Sequence, residues 1–294
     1  MPNLKEVRNR ITSVNNTMQI TSAMKMVSAA KLKKAQDAIT QMRPYAVKLQ
    51  EILQGLSSGL DTSENIYGRK GEVKSVLIVA ITSNRGLCGG FNSQVIKRTN
   101  HLIQDKYSGK IVTVLTFGKK AEDAFRKTEY FIRGTLLPRH TNEIFDDLTF
   151  EQASNAAVKI MDTFKHKQFD EVVLVYNQFK NAATQVVQEE QFLPIKPAEK
   201  EEGQAATNND YIFEPSRTEI VNDLIPKSLK TQFYKALLDS FAGEHGARMT
   251  AMHKATDNAA DMLSELKLTY NKARQAAITT EILEIVGGAE ALNA

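Results

Sequence analysis

The sequence predicts an α/β protein in which long N- and C-terminal helices wind into an antiparallel coiled coil and a smaller α/β domain lies between them in the chain. Three observations predict it. Apolar residues step alternately by three and four from Leu4 to Leu56, and the same step returns from Met252 to Leu283. Between these stretches, β-branched runs alternate with segments of helical spacing. With 294 residues, 42% hydrophobic and 24% charged, the composition is that of a soluble globular protein of one or two domains.

In the first helix, thirteen of the sixteen stepped positions are apolar, the exceptions being Thr21, Lys25 and Ser28. Asn3 and Glu6 have capping-box spacing, Gly55 and Ser57-Ser58-Gly59 close the run, and Pro44 predicts a kink or split near Arg43. At about 1.5 Å per residue the helix is roughly 80 Å long, against about 40 Å for a globular domain, so it is expected to protrude. The C-terminal helix is expected from Pro226, a suitable first helical residue, and is roughly 90 Å long. Eight of its ten stepped positions, Met252, Ala255, Ala259, Met262, Leu266, Thr269, Ala273, Ala276, Thr280 and Leu283, are apolar. Two such seams in one chain pair most economically with each other; homodimeric zippers are the alternative.

In the middle, residues 73–82, 110–117, 129–137 and 171–179 read as strands, and residues 91–107, 119–127 and 150–167 as the helices between them. That alternation implies a mostly parallel sheet. Residues 185–195 read as an added edge strand ending at Pro194, and the polar segment 197–210 as a flexible loop or linker. The expected domains are an N-terminal coiled-coil helix (1–58), an α/β domain (73–195), a flexible loop and following segment (196–215) and a C-terminal coiled-coil helix (216–294).

The stretch ITSNRGLCGGFN (81–92) follows the first strand and opens a helix, the layout of a phosphate cradle. It lacks G-x-x-x-x-G-K-[ST]. It also fails G-x-G-x-x-G, since Cys88 replaces the second glycine and Thr116-Phe117-Gly118 stands where a ribose-binding carboxylate belongs. Arg85 with the helix N-terminus leaves an anion site open. The structural alternative is a tight turn in which Gly89 and Gly90 permit close packing and Asn92 or Ser93 caps the helix. No G-x-S-x-G, H-E-x-x-H or C-x-x-C occurs, and the five histidines are scattered. No catalytic, cofactor or metal site is expected. The lone Cys88 fits a small buried thiol and a reducing compartment. No apolar run reaches the roughly 18–20 residues of a membrane span, and MPNLKEVRNRI lacks a secretory signal's apolar core, so a cytoplasmic or peripheral location is expected.

Two segments depart from coiled-coil rules. At Thr21, Lys25 and Ser28 the seam turns polar while Met24, Met26, Val27, Ala29 and Ala30 carry apolar surface on neighbouring faces. Either the register slips there, or an outward apolar patch ringed by Lys25, Lys31, Lys33 and Lys34 awaits an acidic partner. At the other end, Ile278, Ile282, Leu283, Ile285 and Val286 spread around the helix more widely than one partner helix can cover. A surrounding protein sleeve and a fraying end are the alternatives. Residues 1–55 carry net +6 where the whole chain carries +4, so basic charge concentrates on the rod.

LKEVRNRITSVNNTMQITSAMKMVSAAKL, TSNRGLCGGFN and ARMTAMHKATDNAADMLSELKLTYNKARQAAITTEILEIVGGAEAL closely resemble gamma subunits of F-type (H⁺-transporting) ATP synthases. The family's signature I-T-x-E-x-x-E-x-x-x-G-A is matched by Ile278, Thr279, Glu281, Glu284, Gly288 and Ala289. The resemblance implies a non-catalytic rotor shaft standing in a hexamer of alpha and beta subunits, one copy per complex. Its central domain would be Rossmann-like and free of nucleotide. It implies that Arg274, Gln275, Ile278, Thr279, Glu281, Ile282 and Ile285 face the catalytic hexamer, and that Met24, Lys25, Met26 and Val27 meet acidic domains of the beta subunits. Tyr211 and Glu214, in YIFEP, would belong to a foot that docks on the membrane ring of c subunits and the epsilon subunit. Peripheral attachment at the cytoplasmic face of a bacterial inner membrane follows, without thiol control and without nucleic acid as a partner. The readings from other classes are a Rossmann-like nucleotide-binding enzyme with a coiled-coil dimerisation rod, and a coiled-coil scaffold or DNA binder.

Overall fold

The computed structural model describes residues 4–57, 66–69, 71–132, 137–138, 141–195 and 217–293. Helix α1 (Leu4–Ser57) precedes a 3₁₀ turn (Ile66–Gly68), strand β1 (Ser75–Ile81) and helix α2 (Phe91–His101), which runs on into a π-helical turn (Leu102–Lys106). Strand β2 (Ile111–Phe117), helices α3 (Lys119–Phe125) and α4 (Phe150–Lys165), strands β3 (Glu171–Phe179) and β4 (Gln185–Leu193) and helix α5 (Arg217–Asn293) follow. The chain divides into two compact units, one of residues 1–28 with 249–294 and one of residues 29–248.

In the larger unit the sheet order is β2-β1-β3-β4. β1 lies parallel to β2 (Ser75 beside Ile111) and to β3 (Val76 beside Glu171), and β4 is antiparallel to β3. Every residue of β1 from Val76 to Ile81 is buried, as a central strand covered on both faces demands. Its side chains alternate between two cores. Leu77, Val79 and Ile81 pack with Ile160 and Phe164 of α4 and with Leu229, Phe233 and Leu237 of α5. Val76, Ile78 and Ala80 pack with Val95 of α2 and with Ala121 and Phe125 of α3. Phe233 meets Phe117 edge-on at 5.4 Å and Phe192 at 5.9 Å, which fastens α5 to the sheet face.

In the smaller unit α1 and α5 run antiparallel. Arg8 Nη2 donates to Tyr270 Oη at 2.8 Å, and the Thr256 hydroxyl donates to Thr21 Oγ1 at 2.8 Å. The register of α1 does not slip: Thr21 and Ser28 are buried and Lys25 is half-buried, so the polar residues stay in the seam. On α5 the inward stripe differs from the expected one. Met252, Ala259, Leu266 and Ala273 are shared, but Leu263 and Tyr270 turn inward while Met262 and Thr269 are exposed. The second seam position therefore lies four residues beyond the first rather than three.

Several expectations need correction. Residues 129–137 form no strand among those described; Phe131 makes only an isolated bridge to Val114. Tyr130, Phe131 and Ile132 instead lean against the two cores, so their apolar character serves packing rather than pairing. α1 passes through Pro44 unbroken, and α5 begins at Arg217, leaving Pro226 inside the helix. α5 also continues through Gly287 and Gly288. Asn3 of the expected capping box and the whole segment 196–215 lie outside the described residues.

Candidate functional site: the glycine loop and the faces of the rod

The loop after β1 is held from within. Asn92 accepts from the Ser83 amide at 2.9 Å and donates to Ser83 Oγ at 2.8 Å and to Cys88 Sγ at 3.2 Å. The Ser83 hydroxyl donates to Arg85 O at 2.6 Å. Asn92 therefore ties the loop rather than capping α2; the capping position falls to Gly90, and the Ser93 hydroxyl donates to Gly90 O. Gly89 serves its backbone angle, φ 60°, and not close packing, since a Cβ there would meet nothing within 4 Å. Cys88 is buried, and desolvation pushes its thiol up.

A phosphate cradle presents backbone N–H groups. Here the loop presents carbonyls to a cation of its own chain. Arg248 of α5 donates through Nη2 to Arg85 O at 3.0 Å and Gly86 O at 3.2 Å, and through Nε to Gly86 O at 3.3 Å. Its Nη1 pairs with Glu244 at 2.7 Å, both side chains being under a tenth exposed. Burial pushes the Glu244 carboxyl up, and the guanidinium opposes that rise. Burial, with help from Arg248 and Lys31, drops the neighbouring His245 to about 3, so its ring is neutral and stands edge-on to Phe241 at 4.5 Å.

The same stretch of α5 occupies the ends of the parallel strands. β1 connects outward to β2 on one side and β3 lies on its other side, the switch point where open α/β sheets take ligands. There a Cβ on Gly243 would come within 3.2 Å of Phe91 and 3.3 Å of Gln185, and one on Gly246 within 3.2 Å of the Ala182 backbone. Each helical glycine costs roughly 1 kcal/mol against alanine, and here that cost buys close approach to the sheet's edge.

The residues expected to face partners fall on two separate patches of the smaller unit. On α1, Met26 and Val27 are exposed (64% and 58%), Ile20 beside them is exposed, and Met24 and Lys25 are half-buried. On α5, Arg274, Gln275, Thr279 and Glu281 are exposed. So are Ile278, Ile282, Leu283, Ile285 and Val286, at 48–70%. The pairs Arg8–Tyr270 and Thr21–Thr256 place Arg274 opposite the start of α1. The α5 patch therefore lies level with and beyond the first residues of α1, about 30 Å along the helices from Met24–Val27. Tyr211 and Glu214 lie outside the described residues. Arg248, Glu244 and His245 were not singled out from sequence; two glycines flanking Glu244 and His245 inside a helical run are the signal that marks the place.

A family model described as ATP synthase matches residues 3–292. ATP synthase gamma chains of Flavobacterium johnsoniae and Christiangramia forsetii are 63% and 61% identical over 294 residues, covering 100% of this chain and of each relative. The chain belongs to the ATP synthase gamma chain family. Gamma chains are non-catalytic subunits, and the internal engagement of the glycine loop agrees with that role. Among solved structures, the Tetrahymena thermophila mitochondrial ATP synthase central stalk and c-ring contains a similar chain at 25% identity and TM-score 0.58, over 80% of this chain and 99% of that one. A chain of the Euglena gracilis mitochondrial ATP synthase rotor shares the fold at TM-score 0.63 and 22% identity, over 94% and 98% of the two chains.

Proposed function

We propose that the chain is the central rotor shaft of a bacterial F-type ATP synthase, coupling ion flow through a membrane ring of c subunits to conformational change at catalytic beta subunits. The observation that carries the reading is the apolar end of α5, which beyond Ala277 has no partner helix among the described residues. A single partner stripe cannot cover residues spaced around a rod, but a ring of alpha and beta subunits can. Each exposed aliphatic side chain so covered contributes on the order of 1 kcal/mol or more.

An ion crossing the membrane releases only about 2.3 kcal/mol per 100 mV, so several steps must be summed for one ATP. A shaft sums them by presenting different faces to three like sites, each of which shifts only by its differential contacts. In this reading Arg274, Gln275, Ile278, Thr279, Glu281, Ile282 and Ile285 bear on the catalytic hexamer, and Met24–Val27 with nearby lysines bear on acidic beta-subunit surfaces. Tyr211 and Glu214 contribute to a foot on the c-ring and epsilon subunit. One copy per complex sits peripherally at the cytoplasmic face of the inner membrane. No described helix is long and apolar enough to cross a membrane.

Affinity capture of the tagged chain from its native host tests the reading. Alpha and beta ATPase subunits are expected with it, and the isolated chain is expected to show no ATP turnover. Recovery of nucleic acid instead, or clear turnover by the chain alone, overturns it.

A further inference from the structure

The rotor reading leaves open how the sheet of the larger unit grips the shaft helix. α5 is a continuous helix from Arg217 to Asn293 and carries two pairs of glycines. At Gly287 and Gly288 an added Cβ would meet nothing within 4 Å; at Gly243 and Gly246 it would meet protein at once. The second pair is three residues apart and so shares one face of the helix.

That face is met at two points. Gly246 sits under the tip of the β3–β4 hairpin, where a Cβ would lie 3.2 Å from Ala182 Cα, 3.2 Å from Ala182 O and 3.3 Å from Phe179. One turn away Gly243 sits under Phe91 and Gln185. The opposing parts are themselves fixed. Asn181 Oδ1 accepts from the amides of Ala183 and Thr184 at 3.0 and 2.7 Å, and Gln185 Nε2 donates to Ala182 O at 3.1 Å. Buried Asn177 donates to Phe91 O at 3.0 Å. A bare helix backbone thus meets a hairpin whose own turn is hydrogen-bonded shut.

We propose that Gly243 and Gly246 are positioning residues for rotary coupling: the bare backbone they leave on α5 is the seat into which the Phe179–Gln185 hairpin and Phe91 close, so that the sheet and this stretch of the helix turn as one body. Contacts this close leave no slack for α5 to rotate or slide against the sheet. Torque entering through one is passed to the other. The inference rests on the rotor reading above.

The test uses the whole complex, measuring ATP hydrolysis and ATP-driven ion pumping side by side. A side chain at the seat overpacks it and shifts the seated-to-unseated equilibrium by about tenfold or more. Gly246→Val is therefore expected to keep hydrolysis while pumping per ATP falls severalfold. In a second variant, Ala182→Cys with Gly246→Cys, an oxidised cross-link fixes the seat permanently. The thiol side chain added at position 246 crowds the seat as valine does, so pumping per ATP is expected to be low in the reduced form and to rise toward wild type on oxidation, which holds the seat closed. Arrest on oxidation, or unchanged pumping per ATP in Gly246→Val, overturns the inference, as does a proportional fall of both activities in that variant. If Gly246→Val fails to assemble, the cross-linked complex decides. A wild-type complex containing the chain that does not pump overturns the rotor reading itself, whereas a pumping wild type with silent variants overturns the seat alone.

Discussion

Asp239 of α5 is buried, within electrostatic reach of Lys235 of its own helix, Glu190 of β4, Tyr176 of β3 and Arg43 of α1. Burial pushes its carboxyl up to about 6; Lys235 and Arg43 oppose the rise and Glu190 adds to it. Glu190 itself accepts from Tyr176 at 2.6 Å and from Gln232 at 2.7 Å. Because the folded value lies above the ordinary 3.8, the folded state binds more protons between the two, and stability falls as pH rises through that window. The loss is on the order of 3 kcal/mol. Asp239→Asn is expected to remove this slope and to raise stability at about pH 8, read by denaturant unfolding across pH. His245 works with the opposite sign: held down near 3, it loses stability as pH falls below about 6.5. Its replacement by Gln should flatten that acid limb. Neither effect was legible in the sequence, because both come from burial by elements far apart in the chain.

The helical elements were legible from periodicity, and the failures have physical causes. From Leu4 to Leu49 the α1 seam was read correctly because its large apolar residues recur on one stripe. On α5, Met262 and Leu263 are both apolar, as are Ala276 and Ala277, so spacing alone left two stripes open and the partner helix chose between them. Residues 129–137 have the composition of a strand, but the side chains of Tyr130, Phe131 and Ile132 find cover by packing, which composition does not distinguish from pairing. The polar seam was visible as an interruption, while its reason, the Thr21–Thr256 hydrogen bond, needed the partner helix. Replacing Thr256 alone with Val leaves the hydroxyl of buried Thr21 one partner fewer, and is expected to cost about 1 kcal/mol. Replacing both threonines with Val is expected to be neutral or stabilising. A double-mutant cycle by thermal unfolding checks the pair, and equal, additive losses would tell against the contact.

Across the whole molecule, the interior and the surface answer to different constraints. The glycine loop, the buried Arg248 and the Gly243–Gly246 seat are satisfied by this chain alone. The exposed isoleucines of the α5 end are covered by nothing among the described residues. Substitutions at that end should therefore separate folding from assembly. Ile282→Asp with Ile285→Asp removes side chains that are 54% and 70% exposed, so the isolated chain is expected to unfold within about 0.5 kcal/mol of wild type. In the complex, the same carboxylates would be buried without partners if a sleeve surrounds them, a burial that costs several kcal/mol. Weak assembly or lost coupling with unchanged monomer stability is the expected result. By the same logic, deleting residues 287–294 should harm coupling less than Arg274→Glu, which reverses a charge where α5 leaves the cover of α1. Equal tolerance of both changes, measured as ion pumping per ATP, would show that the hexamer does not bear on this part of the shaft.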